Sequence, residues 1–328
     1  MGPRALAVLG AVLSLVAGDR ALAGELPPPL AWEEPGGLQR LFLQLPFEAP
    51  SVAGPGTFDV ELRLIYSNTI LVESTQTASI DVDLETAQFT GLLRYGVGSG
   101  LELELAVPVS VDYGGFLDGF IESVEGIFNA LNPSRRNRPR NLSRFRVNDN
   151  GKVAWVDGPE AGLGDVWVGA KEAALGQAGG WPALALRAAV KLPTGRYPFG
   201  SGELDAGGSL MLGWCFEWIA VRLEIDGMTP TTTLRILGMA TRPYGAAQAG
   251  LAVSTSDSLA LHLQLSAATS PIEGTGLSTI DDGVRYVLLG FTYLVSPSWG
   301  LEFGAVENIY SPYRGADLAF FLAGRGRL

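Results

Sequence analysis

The sequence predicts an all-β fold, a transmembrane antiparallel up-and-down β-barrel of about twelve strands with one short amphipathic helix in a long extracellular loop. Three observations predict it. Apolar and polar residues alternate with period two over segments of about ten residues, connections alternate between long and short, and aromatic side chains gather at the segment ends.

Composition narrows the class first. The chain has 328 residues, 47% of them hydrophobic, and a net charge of −11. That apolar content excludes a disordered chain, and the 43 glycines follow no Gly-X-Y period, which excludes collagen. Mean hydropathy is +0.22, yet beyond the N-terminal leader no apolar run reaches the ~18 residues of a membrane-spanning helix. Cys215 is the single cysteine and His262 the single histidine, so neither an internal disulfide nor a metal site on N/S ligands can form, and no cofactor is expected. The acidic balance argues against nucleic acid as a partner.

Residues 1–23 read as a secretory signal. Arg4 supplies the positive start, Ala5 to Ala17 the apolar stretch, and Ala21-Leu22-Ala23 a small-x-small cleavage site before Gly24. Removing Arg4, Asp19 and Arg20 with it takes the net charge from −11 to −12. Residues 24–56 are then a periplasmic N-terminal segment and 57–328 the outer-membrane barrel. Within the former, Leu38 to Phe47 can either tuck into the barrel mouth as a plug or add a strand.

The alternation is clearest in Ile219-Ala220-Val221-Arg222-Leu223-Glu224-Ile225-Asp226 and recurs in Phe58 to Leu64, Leu101 to Leu105, Leu184 to Lys191 and Leu259 to Ser266. Strands are expected near 57–67, 86–97, 100–110, 163–173, 182–192, 205–215, 217–226, 243–254, 258–268, 283–294, 299–308 and 316–324. Soluble sheets favour strands of ~5–6 residues, whereas ~9–11 cross a bilayer obliquely. Alternation also suits a soluble sandwich, so the connections decide. Long links at 68–85, 111–162, 193–204, 227–242, 269–282 and 309–315 alternate with tight ones at Gly98-Ser99-Gly100, 174–181, Phe216, Thr255-Ser256-Asp257 and Ser296-Pro297-Ser298. All long loops therefore sit at one end, as in outer-membrane barrels, a segregation that Greek-key sandwiches have no reason to show. Trp181, Trp214, Trp218, Trp299, Tyr95 and Tyr293 fall at the short-turn end, and Tyr66, Tyr113, Tyr244 and Tyr310 at the long-loop end, two girdles of the kind a bilayer interface selects.

Facing the apolar parity to lipid puts Asp59, Glu61, Arg63, Glu102, Glu104, Arg187, Lys191, Arg222, Glu224, His262 and Gln264 in the lumen, with Arg94, Lys171, Arg285 and Glu302 as additions. The opposite parity would face Arg222 to lipid at a cost of ~2–4 kcal/mol near midplane. These residues either line a polar pathway or pair with one another and fill a narrow barrel. Opposite charges in pairs favour closure; segregated signs favour conduction.

In the long loop, Asp118 can cap a helix reaching about Leu131, with Phe120, Ile121, Val124, Ile127, Phe128 and Leu131 on one face. Glu122 and Glu125 give its polar face the wrong sign for an anionic surface, so a partial lid over the barrel mouth is expected. Arg135, Arg136, Arg138, Arg140, Arg144 and Arg146 form an anion-binding candidate for lipid phosphates or acidic solutes, or a solvated loop. Asn148-Asp149-Asn150-Gly151 reads as a hairpin turn and not a calcium loop.

No catalytic residue is expected. There is no G-x-S-x-G elbow, and Ser266, four positions along the strand from His262, would stand about 13 Å away at strand rise. No paired carboxylates cluster in sequence beside His262.

Tyr113-Gly114-Gly115-Phe116-Leu117-Asp118-Gly119-Phe120-Ile121-Glu122, Gly162-Leu163-Gly164-Asp165, Lys191-Leu192-Pro193-Thr194-Gly195 and Phe199-Gly200-Ser201-Gly202 resemble the bacterial outer-membrane barrels known as domain of unknown function 3187. The resemblance covers nearly all of the chain after the leader. Gly-Leu-Gly-Asp followed by Leu-Pro-Thr-Gly is also similar to barrels associated with phenol and other aromatic-compound degradation. The resemblance implies a barrel in the outer membrane of a Gram-negative bacterium, with no established activity to carry over. Such barrels usually end in an aromatic residue read by the barrel assembly machinery, whereas this chain ends Gly324-Arg325-Gly326-Arg327-Leu328. The expected function is a passive channel for small solutes, in contact with outer-membrane lipid; the alternative is a closed barrel acting through its long loops.

Overall fold

The computed structural model describes residues 26–128, 133–135, 138–231, 233–309 and 314–328. The leader, Leu131, Arg136 and Tyr310 lie outside these, as do the side chains of Val124, Glu125, Ile127 and Phe128. Twelve antiparallel strands close into a barrel. They are β1 (Phe58–Ser74), β2 (Ala78–Gly98), β3 (Leu101–Tyr113), β4 (Trp167–Leu175), β5 (Ala183–Lys191), β6 (Asp205–Phe216), β7 (Ile219–Pro230), β8 (Tyr244–Ser254), β9 (Leu259–Ala268), β10 (Val284–Ser296), β11 (Trp299–Asn308) and β12 (Ala316–Arg327). Each pairs with its sequence neighbours, and β12 closes on β1 from Asp59↔Arg327 to Thr69↔Ala316.

The outward parity is apolar and exposed, as at Leu62, Leu103, Leu105, Leu223, Ile225 and Leu289, which is the surface a bilayer covers. Trp181, Trp299 and Tyr293 remain exposed at the short-turn end. No helix among the described residues is long and apolar enough to cross a membrane. The barrel sits in the outer membrane; barrels of this kind carry their short turns at the periplasmic end, and the two ends are named accordingly.

Four expectations are corrected at the outer end. The link 68–85 is no loop: β1 and β2 continue as a hairpin above the barrel, Thr75 N bonding Ala78 O at 2.8 Å. Asn68 and Thr69 hide this, because the register with β12 slips between them and both faces of Ile70, Leu71 and Ile80 to Leu84 are partly covered, so apolar residues no longer mark one face. The hairpin Arg144–Asp149/Lys152–Asp157 then pairs with β2 as an outer lip. Its turn carries Asn150 at φ 50° and Gly151 at φ 81°, the positive values that a tight two-residue hairpin needs. The strand expected at 163–173 begins only at Trp167, because Glu160–Leu163 is a separate short strand paired with β3. Tyr244 faces inward and is buried, so it belongs to no girdle.

The helix α1 (Asp118–Phe128) is the fourth correction. It docks on the outside of the barrel wall and does not cover the mouth. Tyr66 and Asn68, on the outward parity of β1, meet it: Tyr66 stacks on Phe116 with ring centroids 5.4 Å apart, and Asn68 Nδ2 donates to Asp118 Oδ1 at 3.0 Å. Arg135 bonds Asp118 at 2.7 Å and Asp317 at 2.8 Å, which ties the loop across the β1/β12 seam. Asp317 is available because it is the extra residue of the β12 bulge, and bulges re-aim side chains. Asp118 is thus engaged by tertiary partners, and the helix buries Ile121 while Phe120 is exposed.

Inside the barrel runs the N-terminal segment, twice. Leu26 packs with Ala220 and Ala252 near the periplasmic end, Glu34 meets Tyr286 and the Ala316 N–H near the outer end, and a 3₁₀ turn at Gln39–Leu41 reverses the chain. The return limb passes Leu43, whose N–H donates to Asp205 at 2.8 Å, and reaches Ala53, whose N–H donates to Glu102 at 2.6 Å. Pro27, Pro28, Pro29, Pro46, Pro50 and Pro55 lack the N–H a ladder requires, which is why neither limb joins the sheet. Inward-facing glycines make room for it. A Cβ on Gly250 would come within 2.7 Å of the Phe47 ring, and one on Gly213 within 2.8 Å of Pro50.

Candidate functional site

The lumen is built in two layers. At the outer mouth, Leu38, Leu41, Phe42, Leu43 and Leu45 of the segment form an apolar core with Ile80, Val82, Phe145, Val147, Leu234, Met239, Ile272 and Ile280 from the lip and the long loops. Arg40 pins this apex: its guanidinium makes a two-pronged pair with Asp112 at 2.8 and 2.7 Å and lies between the Phe145 and Phe199 rings, 5.5 and 5.1 Å from their centroids.

Below lies a network of charges with Glu48 at its centre. Glu48 pairs with Arg94 and, at 2.6 Å, with Lys171, while its N–H donates to Glu224 at 2.8 Å. Arg94 continues to Glu61 at 3.1 Å, and Glu61 is shared with Arg63 and, at 2.7 Å, with Arg325. Lys171 also meets Glu102 at 2.9 Å and Glu104 at 3.7 Å. Arg187 joins Glu224 to the Pro46 carbonyl, 2.9 Å away. Buried charges at this density persist only where each finds an opposite partner. Three carboxylates, Glu48, Glu102 and Glu104, come close enough to share a cation, and the Lys171 ammonium already stands among them.

Of the residues that parity sends inward, Glu61, Arg63, Arg94, Glu102, Glu104, Lys171, Arg187, Lys191, Arg222, Glu224, His262, Gln264 and Glu302 are buried. Asp59 sits at the periplasmic rim, paired with Arg327 at 2.8 Å. Arg285 is the exception: it is exposed on the outward face, beside Val284 and Tyr286, which point in. On β10 the inward face is apolar because it packs on Trp32 and Leu30, so both faces are greasy and parity is unreadable there. Sequence reasoning missed Glu48, Arg40 and Glu33, which lie in no strand, Asp226, which already stood on the inward parity of the strand expected at 217–226, and Arg325, which the same period would have found by extending β12.

The arginine-rich loop offers no open anion site among the described residues. Arg138 pairs with Asp81 at 2.6 Å and Asp83 at 2.8 Å, Arg144 with Asp81 at 3.0 Å, Arg140 with Glu122 at 2.5 Å, and Arg146 with Asp157, whose carboxyl that guanidinium holds below its usual range. Arg135 is the seam clamp. The glycine motifs converge on Asp165, whose carboxylate accepts from the N–H groups of Gly195 at 2.8 Å and Ser201 at 2.7 Å and from the Lys191 ammonium at 2.8 Å. They hold the turns above β4 and β5 in place.

A family model described as a protein of unknown function, DUF3187, matches residues 27–327. The chain belongs to that family. No curated protein matches it. Among solved structures it is similar to the COG4313 outer membrane channel from Pseudomonas putida F1, at 14% sequence identity over 85% of this chain and 97% of that one, with a TM-score of 0.55. The NanC porin follows at 8% identity, 82% and 100% coverage and a TM-score of 0.47. At such identities the first likeness concerns the fold.

Proposed function

We propose that this protein is an outer-membrane channel for small solutes, closed at rest by its own N-terminal segment acting as a plug. The observation that carries the reading is the double passage of residues 26–57 through the lumen, held by side chains of the wall and not built into it as strands. Twelve strands enclose more room than ordinary side chains fill, and the segment that takes up the difference is attached through side-chain contacts and not through a strand ladder. A fold shared with an outer-membrane channel supports the same reading. Solutes would cross by diffusion once the plug yields, while lipid contacts the outward belt and the assembly machinery meets β12.

The test is planar-bilayer conductance of the refolded mature protein beside a Glu48→Gln, Gln264→Ala double variant, after heat-modifiable migration on a gel has verified folding. Infrequent brief steps in the former and frequent ones in the latter are expected. A second reading, a permanently closed barrel that displays its loops, draws on the pairing of opposite charges across the lumen. Folded barrels silent in both forms would establish it instead.

A further inference from the structure

The two limbs of the N-terminal segment lie against unlike walls. On β8, β9 and β10 no inward position carries Asp, Glu, Lys or Arg, whereas every other strand of the barrel brings at least one inward. The ascending limb rests on this uncharged wall. Leu30 is gripped at both backbone atoms by the Gln264 amide, its N–H donating to Oε1 at 2.6 Å and its carbonyl accepting from Nε2 at 2.8 Å. Above it, Trp32 sets an edge against Tyr286 with centroids 5.3 Å apart. The descending limb carries Glu48 into the charged wall. Withdrawing the ascending limb uncovers neutral groups on this wall and gives up the Glu33–Arg63 pair at 3.5 Å and the Arg222 bond to the Leu26 carbonyl at 3.1 Å, with Arg63 keeping Glu61. Withdrawing the descending limb strips Arg94 and Lys171 together of the counter-charge they share, which is costlier.

Empty space touches the uncharged wall at both of its ends. At the periplasmic end a cavity of about 880 Å³ is bordered on this side by Ser254, Ala260 and Thr292, and on its other sides by charged groups, among them Asp59, Arg94, Glu102, Lys171, Glu302 and Arg325. At the outer end a smaller one of about 70 Å³ is bordered by Tyr244, Gln248 and Tyr286. Leu30 and Gln264 stand between the two.

We propose that the solute route runs along the β8–β10 wall, opened when the ascending limb leaves it, and that it takes small uncharged solutes bearing hydroxyl or carbonyl groups beside an apolar face. The inference rests on the channel reading. Gln248, Gln264 and Thr292 supply donors and acceptors, with Ala252, Tyr286 and Leu288 between them. An uncharged solute exchanges its water hydrogen bonds for these, whereas an ion would give up hydration to a wall with no counter-charge.

The experiment is uptake by proteoliposomes holding the full mature chain, with labelled ribitol as the uncharged probe and labelled ribonate as its carboxylate counterpart. Ribitol should enter roughly fivefold faster or more, the ion paying the larger dehydration cost. Gln264→Ala should raise ribitol uptake several-fold, and Thr292→Asp or, independently, Gln248→Asp should depress it. Equal uptake of both probes, indifferent to these substitutions, would overturn the route and leave the channel standing. Uptake raised by Glu48→Gln but not by Gln264→Ala would overturn it by assigning the movement to the other limb. No uptake in any correctly folded form removes the channel reading, and the route with it.

Discussion

Glu48 is held by Arg94 and Lys171 and itself holds the descending limb against the wall. Replacing it by Gln leaves two cations facing a neutral amide, and breaking a buried pair in this way costs about 3–5 kcal/mol. The expected outcome is a lower temperature for the heat-modifiable gel shift and faster tryptic cleavage after Arg40 in proteoliposomes; protection equal to the parent's would remove Glu48 from this role. Gly250 tests the same packing from the other side. Its Cβ would strike the Phe47 ring at 2.7 Å, so Gly250→Val should displace the limb and destabilise by about 1–3 kcal/mol, the usual cost of overpacking. An unchanged melting profile would show that the segment sits elsewhere. Neither residue was legible beforehand. Glu48 belongs to no periodic segment, and a lone glycine in a strand does not announce what approaches it.

At the scale of elements, the period-two pattern marked the barrel strands because lipid is uniform along their outer faces, and an error of register there would carry a charge into hydrocarbon. The pattern failed where that medium ends. Above the membrane, β1 and β2 pack on the apex of the N-terminal segment and on the loop that carries Ile272 and Ile280, while the loop at Asp118 and Arg138 binds them as well, so the alternation that marks one face disappears. The helix itself was readable in its start, but which surface it would meet was not, since Asn68 and Asp317 reach it only through the closed seam. Arg135→Ala removes the cation that joins Asp118 and Asp317. Proteolysis of the loop should quicken and stability fall by about 1–3 kcal/mol, with single-channel conductance unchanged because the helix does not cover the mouth. A conductance that rises would return α1 to the role of a lid.

For the whole molecule, the sequence by itself determined the class of solvent on each side of the wall: apolar residues on one parity, mostly polar ones on the other, and loop lengths sorted by end specify a closed antiparallel barrel in an outer membrane. These are local, periodic properties, and most strands state them independently; β10, greasy on both faces, does not. What the lumen contains was decided only by the tertiary structure. Whether opposite charges pair depends on the register between strands and on a carboxylate, Glu48, delivered from a segment with no period of its own. The uncharged wall of β8–β10 is likewise present in the sequence, yet it acquires meaning only once the ascending limb is seen to lie upon it, with Leu30 held by a glutamine 234 residues away. Contacts across such separations depend on how the barrel closes and fills, and no stretch of chain read alone carries that information.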